Sequence, residues 1–66
     1  MNMISVSSSA IAAVGYDPGT RRMQIRFKNS GTYPFCRVPQ NVFDELLSAS
    51  SKEKYYDQHI RGRYQC

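Results

Sequence analysis

The clearest pattern along the chain is RMQIRFK, Arg22 to Lys28, where apolar and polar side chains alternate. Met23, Ile25 and Phe27 point one way and Arg22, Gln24, Arg26 and Lys28 the other, the two-residue period of a half-buried strand. Upstream, AIAAVGY reads as a strand with β-branched Ile11 and Val14, closed by Asp17-Pro18-Gly19, where proline presets φ and glycine tolerates a turn. Downstream, Asn29-Ser30-Gly31 predicts a three-residue hairpin loop with the glycine in the left-handed position. That loop sets Lys28 opposite Thr32, Phe27 opposite Tyr33, Ile25 opposite Phe35 and Met23 opposite Arg37, so the large apolar side chains share a face. Pro34 falls on the other face, and its missing N–H predicts a free edge or a bulge there.

After Val38-Pro39 the period changes. Val42, Phe43, Leu46 and Leu47 make one apolar helical stripe, with Asn41, Asp44, Glu45 and Ser48 on the wet side and Pro39 expected at the first helical position. The stripe is expected to cover the sheet face bearing Ile25, Phe27, Tyr33 and Phe35. Ser50 to Glu53 fits a capping box, with Ser50 on the amide of Glu53. A second short helix then carries Tyr55, Tyr56, His59 and Ile60 and ends at Gly62. Residues 1 to about 7 read as a loose leader. The expected architecture is α+β: a three-stranded antiparallel β-meander followed by two short α-helices packed on one sheet face, a single domain over residues 1–66.

Composition agrees with a folded domain, since 41% of residues are hydrophobic and only 21% charged. Charge adds a partner class. Nine Lys and Arg against five Asp and Glu give +4, a balance that attracts polyanions. Arg22, Arg26 and Lys28 share the polar strand face, and Arg61 and Arg63 flank Gly62; these five are the candidate nucleic-acid contacts. Phe27, Tyr33 and Phe35 are assigned to the core, and Tyr64 to a tail that reverses at Gly62 and packs back on the body.

The chain offers little else for chemistry. His59 is the sole histidine, no metal-ligand spacing surrounds it, and neighbouring Asp44 and Glu45 diverge on their helix. No phosphate loop, nucleophile elbow or dinucleotide fingerprint occurs, so neither a catalytic centre nor a cofactor is expected. Cys36 and Cys66 lack CxxC spacing and read as free thiols. With no basic signal region and no stretch long enough to span a membrane, the expected location is the cytoplasm.

Taken in order, Ser8, Ile11, Val14-Gly15-Tyr16-Asp17, Met23-x-Ile25-x-Phe27, Gly31, Tyr33-x-Phe35, Val38-Pro39, Phe43, Leu46, Ala49, Ser51, Tyr55-Tyr56, Ile60-Arg61 and Tyr64 resemble the KTSC domain. This domain family takes its name from the C-terminus of some lysyl-tRNA synthetases and also occurs as short free-standing proteins of bacteria and their phages. The resemblance implies a fold of this type and contact with RNA, and it supplies no catalytic residue. The family's Tyr-x-Tyr signature is Tyr33-Pro34-Phe35 here, without the second hydroxyl, and Lys52-Glu53 stands where the family often has glycine. The expected function is a non-catalytic RNA-binding module. Its rival is a phage-type protein-interaction module docking on a host protein, for which the Pro34 strand edge would serve.

Overall fold

The computed structural model describes residues 1–66. Four antiparallel strands, β1 (Met3–Ser5), β2 (Ile11–Asp17), β3 (Arg22–Phe27) and β4 (Gly31–Phe35), lie side by side in chain order. Helix α1 (Gln40–Ser48) follows, then α2 (Lys52–Tyr55), which runs directly into a π-helical turn, Tyr56–Ile60. The fold is α+β with an antiparallel sheet, but the sheet has four strands and not three.

The extra strand comes from the segment expected to be a loose leader. Met3, Ile4 and Ser5 pair with Gly15, Val14 and Ala13. Serines mask so short a strand in the sequence, and its seat depends on a glycine. A Cβ on Gly15 would lie 2.7 Å from the Met3 sulfur and 2.9 Å from the Asn2 carbonyl oxygen, so β1 approaches as it does only because position 15 has no side chain.

A bulge in β2 solves a second problem. Ile11 and Val14 are three residues apart and would face opposite sides of a regular strand. The register slips between Ile11, opposite Phe27, and Ala13, opposite Arg26. The added residue turns Ile11 and Val14 to the same side, and both are fully buried.

The β3–β4 hairpin keeps the predicted faces but not the predicted partners. Phe27 pairs with Gly31, Ile25 with Tyr33 and Met23 with Phe35, two residues from the expected register. The loop is Lys28–Ser30 because Gly31, at φ +92°, is itself a ladder residue at the loop exit. Phe27 and Tyr33 still meet diagonally, with ring centroids 5.6 Å apart.

One sheet face carries the core. Val14, Met23 and Ile25 have no exposed surface, and they are covered by Val38, by Val42, Phe43 and Leu46 of α1, and by Ile60. Tyr16 ties down the start of α1: its ring stacks on Phe43 at 5.0 Å and its hydroxyl donates to the Val38 carbonyl at 2.6 Å. Pro39 has extended backbone and precedes the first helical residue, where its carbonyl accepts from Val42 N–H at 3.0 Å. The helix therefore begins one residue later than the sequence pattern implies. Nearby, Arg21 and Arg37 both take left-handed backbone, at φ 59° and 57°. Val38 N–H donates to the Arg21 carbonyl at 2.8 Å, so the two unusual conformations flank one bond joining the β2–β3 turn to the exit of β4.

The tail docks. Gly62 takes φ +75°, Arg63 N–H donates to the Ile60 carbonyl at 3.0 Å, and Cys36 N–H donates to the Tyr64 carbonyl at 2.8 Å. Tyr64 is half-buried against the core, and Cys66 forms a disulfide with Cys36. The expectation of two free thiols is thus overturned. A separation of 30 residues carries no spacing signal, and the cysteines meet only because the chain reverses at Gly62.

Closing a loop of this length should stabilise the fold by about 3 kcal/mol. Replacing both cysteines by serine is expected to lower the thermal midpoint by more than about 10 °C in oxidising buffer, read by circular dichroism. Equal midpoints for the two proteins would mean that Tyr64 docking alone holds the tail.

Candidate functional site

Where β3 ends, the sheet's apolar surface outruns its cover. Phe27 is half-buried, and Tyr56 meets it edge-to-face at 5.1 Å and meets Phe35 at 6.1 Å. Tyr33 packs edge-on to Phe27 but remains 46% exposed. Together with Ser30 and Arg61, the three rings Phe27, Tyr33 and Tyr56 line an open cleft of about 250 Å³. The rings therefore present edges and faces to solvent instead of closing over one another.

The π-helical turn is what brings Arg61 there. Residues five apart on an α-helix lie about 140° apart around the axis. In the π turn Arg61 N–H donates to the Tyr56 carbonyl at 2.8 Å, which stacks residue 61 over residue 56. Arg61 contacts Asp57 at 3.7 Å, but its side chain stays 72% exposed, and an ion pair so open to water ties it down weakly.

Across the same hairpin loop lies a second concavity, about 500 Å³ in volume, lined by Ser7–Ser9, Lys28, Ser50, Ser51, Lys52 and Glu53. Val6 is its only apolar wall. Phe27 and Ser30 belong to the cleft and Lys28 to the groove, so loop Lys28–Ser30 separates the two.

The five basic candidates do not converge. Arg22 and Arg26 sit on the sheet face opposite the core, paired with Asp17 and with Ala13 and Thr32. Lys28 leaves the strand for the loop and lines the groove, Arg61 lines the cleft, and Arg63 is exposed beyond Gly62. Sequence reading missed Tyr56 and Lys52 as site residues. The sequence pattern marks Tyr56 only as a helix residue, and no pattern announces a π turn.

A family model, the KTSC domain, matches residues 7–64. The chain belongs to the KTSC domain family. A crystal structure of a KTSC domain protein from Yersinia pestis superposes with a TM-score of 0.96 at 38% identity, covering 98% of this chain and 92% of that one. A protein from Tsukamurella paurometabola is 40% identical, over 94% of this chain and 92% of its own length. A lysine--tRNA ligase from Nostoc sp. is 31% identical over 94% of this chain, which corresponds to only 11% of the ligase.

In this KTSC domain the Tyr-x-Tyr signature has two different jobs. The second position, Phe35, is 7% exposed and packs in the core, so the missing hydroxyl is lost from a site where it would need a buried partner. The first, Tyr33, stays exposed and lines the open cleft.

The segment carrying Tyr56 and Arg61 is held against α1 at its start. Ser51 Oγ accepts from Lys54 N–H at 3.4 Å, so the cap is Ser51 and not the expected Ser50. The hydroxyl of Tyr55 donates to Glu45 Oε1 at 2.8 Å. Burial pushes the Tyr55 phenol up from 10.0 to about 12, and the hydrogen bond to Glu45 and the charges of Glu45 and Tyr64 add to the rise. Because the folded protein holds this proton more tightly, the contribution to stability is complete below pH 10 and is lost as the pH rises through 12.

An ultraviolet phenolate titration of the folded protein should show one tyrosine ionising near pH 12, and Glu45→Gln should lower that value. A Tyr55 titration unmoved by Glu45→Gln would show that the brace to α1 does not form.

Proposed function

We propose that this KTSC domain is a non-catalytic module for single-stranded RNA that takes one base at the Phe27–Tyr33–Tyr56 cleft, with Arg61 beside it. The observation that carries the reading is a tyrosine ring left 46% exposed next to an exposed guanidinium. A base stacked on such a ring gains about 1–3 kcal/mol. Arginine complements it twice, as a charge for the neighbouring phosphate and as a plane for stacking. The net charge of +4 draws a polyanion toward the surface. A relative that carries the domain as a small part of its length is named for lysine and tRNA, which agrees with an RNA partner.

Nothing in this role requires bond making, and the cleft needs only to hold the strand. The location that goes with the reading is the cytoplasm, where thiol pools keep most cysteines reduced. There the disulfide would open, and the tail would keep only the packing of Tyr64 on the core and the hydrogen bond from Cys36 N–H to the Tyr64 carbonyl.

Fluorescence anisotropy of a labelled uridine oligomer tests the reading. Tyr33→Ala should weaken binding by roughly tenfold, the loss of one stacked base, with little change in thermal midpoint. Arg61→Gln should lower the logarithmic salt slope by about 0.7. Absence of binding at low salt would overturn the reading. So would loss of binding on Arg26→Gln with Tyr33→Ala unaffected, which would move the site to the outer sheet face.

A further inference from the structure

We infer that the serine-lined groove beside the cleft receives the phosphodiester groups of the same strand, so that the strand crosses the Lys28–Ser30 loop with a base on one side and its phosphates on the other. The inference rests on the RNA reading and adds a second contact surface to it. Three segments distant in sequence, residues 6–9, 28 and 50–53, converge on about 500 Å³ of space, and eight of the nine lining residues are polar. Such a lining repels an apolar side chain and favours a hydrated, charged group.

The hydroxyls are arranged as donors. Ser8 Oγ accepts from Ala10 and Ile11 N–H at 3.4 and 3.3 Å, and Ser51 Oγ accepts from Lys54 N–H at 3.4 Å. Each serine thus keeps its hydroxyl hydrogen for an acceptor outside the protein. Lys52 Nζ gives one of its three hydrogens to the Ala49 carbonyl at 3.1 Å and keeps two. Lys28 reaches the groove from the loop. Lys28 and Lys52 against Glu53 leave the lining at +1, which matches the single negative charge of a phosphodiester.

The loop supplies the geometry. Phe27 lines the cleft and the next residue, Lys28, lines the groove, so a base and an adjoining phosphate need to be only about one residue step apart on the protein.

The test uses two ligands, a uridine oligomer and an abasic oligomer that keeps sugars and phosphates but has no bases, each titrated by anisotropy at several salt concentrations. For the uridine oligomer, Lys28→Gln with Lys52→Gln is expected to lower the logarithmic salt slope by about 1.4, two contacts at about 0.7 each. The abasic oligomer should bind the wild type weakly at low salt, lose that binding in the double variant, and ignore Tyr33→Ala. Thermal melts check that the double variant folds, since Lys52→Gln also removes the hydrogen bond to the Ala49 carbonyl. An unchanged slope in the double variant, with wild-type uridine binding intact, would overturn the groove alone. Abasic binding that falls with Tyr33→Ala would also overturn it. Absence of uridine binding by the wild type would remove the RNA reading and the groove together.

Discussion

A single apolar sheet face has to be closed by the short stretch of chain that follows β4, and the rest of the structure follows from that constraint. Val14, Met23 and Ile25 lose all contact with water only because α1 supplies Val42, Phe43 and Leu46 and the π turn supplies Ile60. With twelve buried residues, the protein has few contacts to spare. Burial of a residue such as Ile60 or Leu46 is commonly worth 2–5 kcal/mol against alanine, roughly a large share of the stability of a domain this size. The disulfide and the Tyr64 strap tie the chain end to Cys36, at the exit of β4.

The same shortage of covering chain creates the cleft. α1 protects the part of the sheet near Tyr16 and Val38, and Ile60 protects the middle. At the end of β3, Phe27 packs edge-to-face with Tyr33 and with Tyr56 and stays half-buried. An aromatic cluster of this kind is stable because edge-to-face contacts recover part of the burial, yet it leaves Tyr33 accessible. A five-residue π turn then places a cation at its rim. The two signature positions therefore differ in burial: Phe35 packs in the core and Tyr33 stays open at the cleft.

Alternation in RMQIRFK and the stripe Val42, Phe43, Leu46, Leu47 were readable as a strand and a helix because each side chain's place depends on a local period. The chain reversal at Gly62 was readable as a glycine signal, while the contact it brings Tyr64 into, with Cys36 and the core, is long-range. β1 was not readable, since its pairing depends on the absence of a side chain at Gly15, ten or more residues away. The hairpin register needed the knowledge that Gly31 belongs to the ladder, a distinction between two loops of equal length. The disulfide and the cleft are both products of tertiary approach, and neither Cys36 with Cys66 nor Phe27 with Tyr56 has a sequence spacing that implies contact. Basic residues were easy to list from the sequence, but their distribution over two sheet faces was not, because Lys28 leaves the strand one residue after Phe27.

The proposal stands or falls on the cleft around Tyr33 as the binding surface. Two-dimensional amide NMR of the labelled protein during titration with a single-stranded uridine oligomer tests it most directly. Shifts are expected at Phe27–Tyr33, Tyr56 and Arg61 and along the groove at Ser7–Ser9 and Ser50–Glu53, with the amides of Arg22 and Gln24 undisturbed. Shifts confined to Arg22–Arg26, with Tyr33 and Arg61 unmoved, would contradict it.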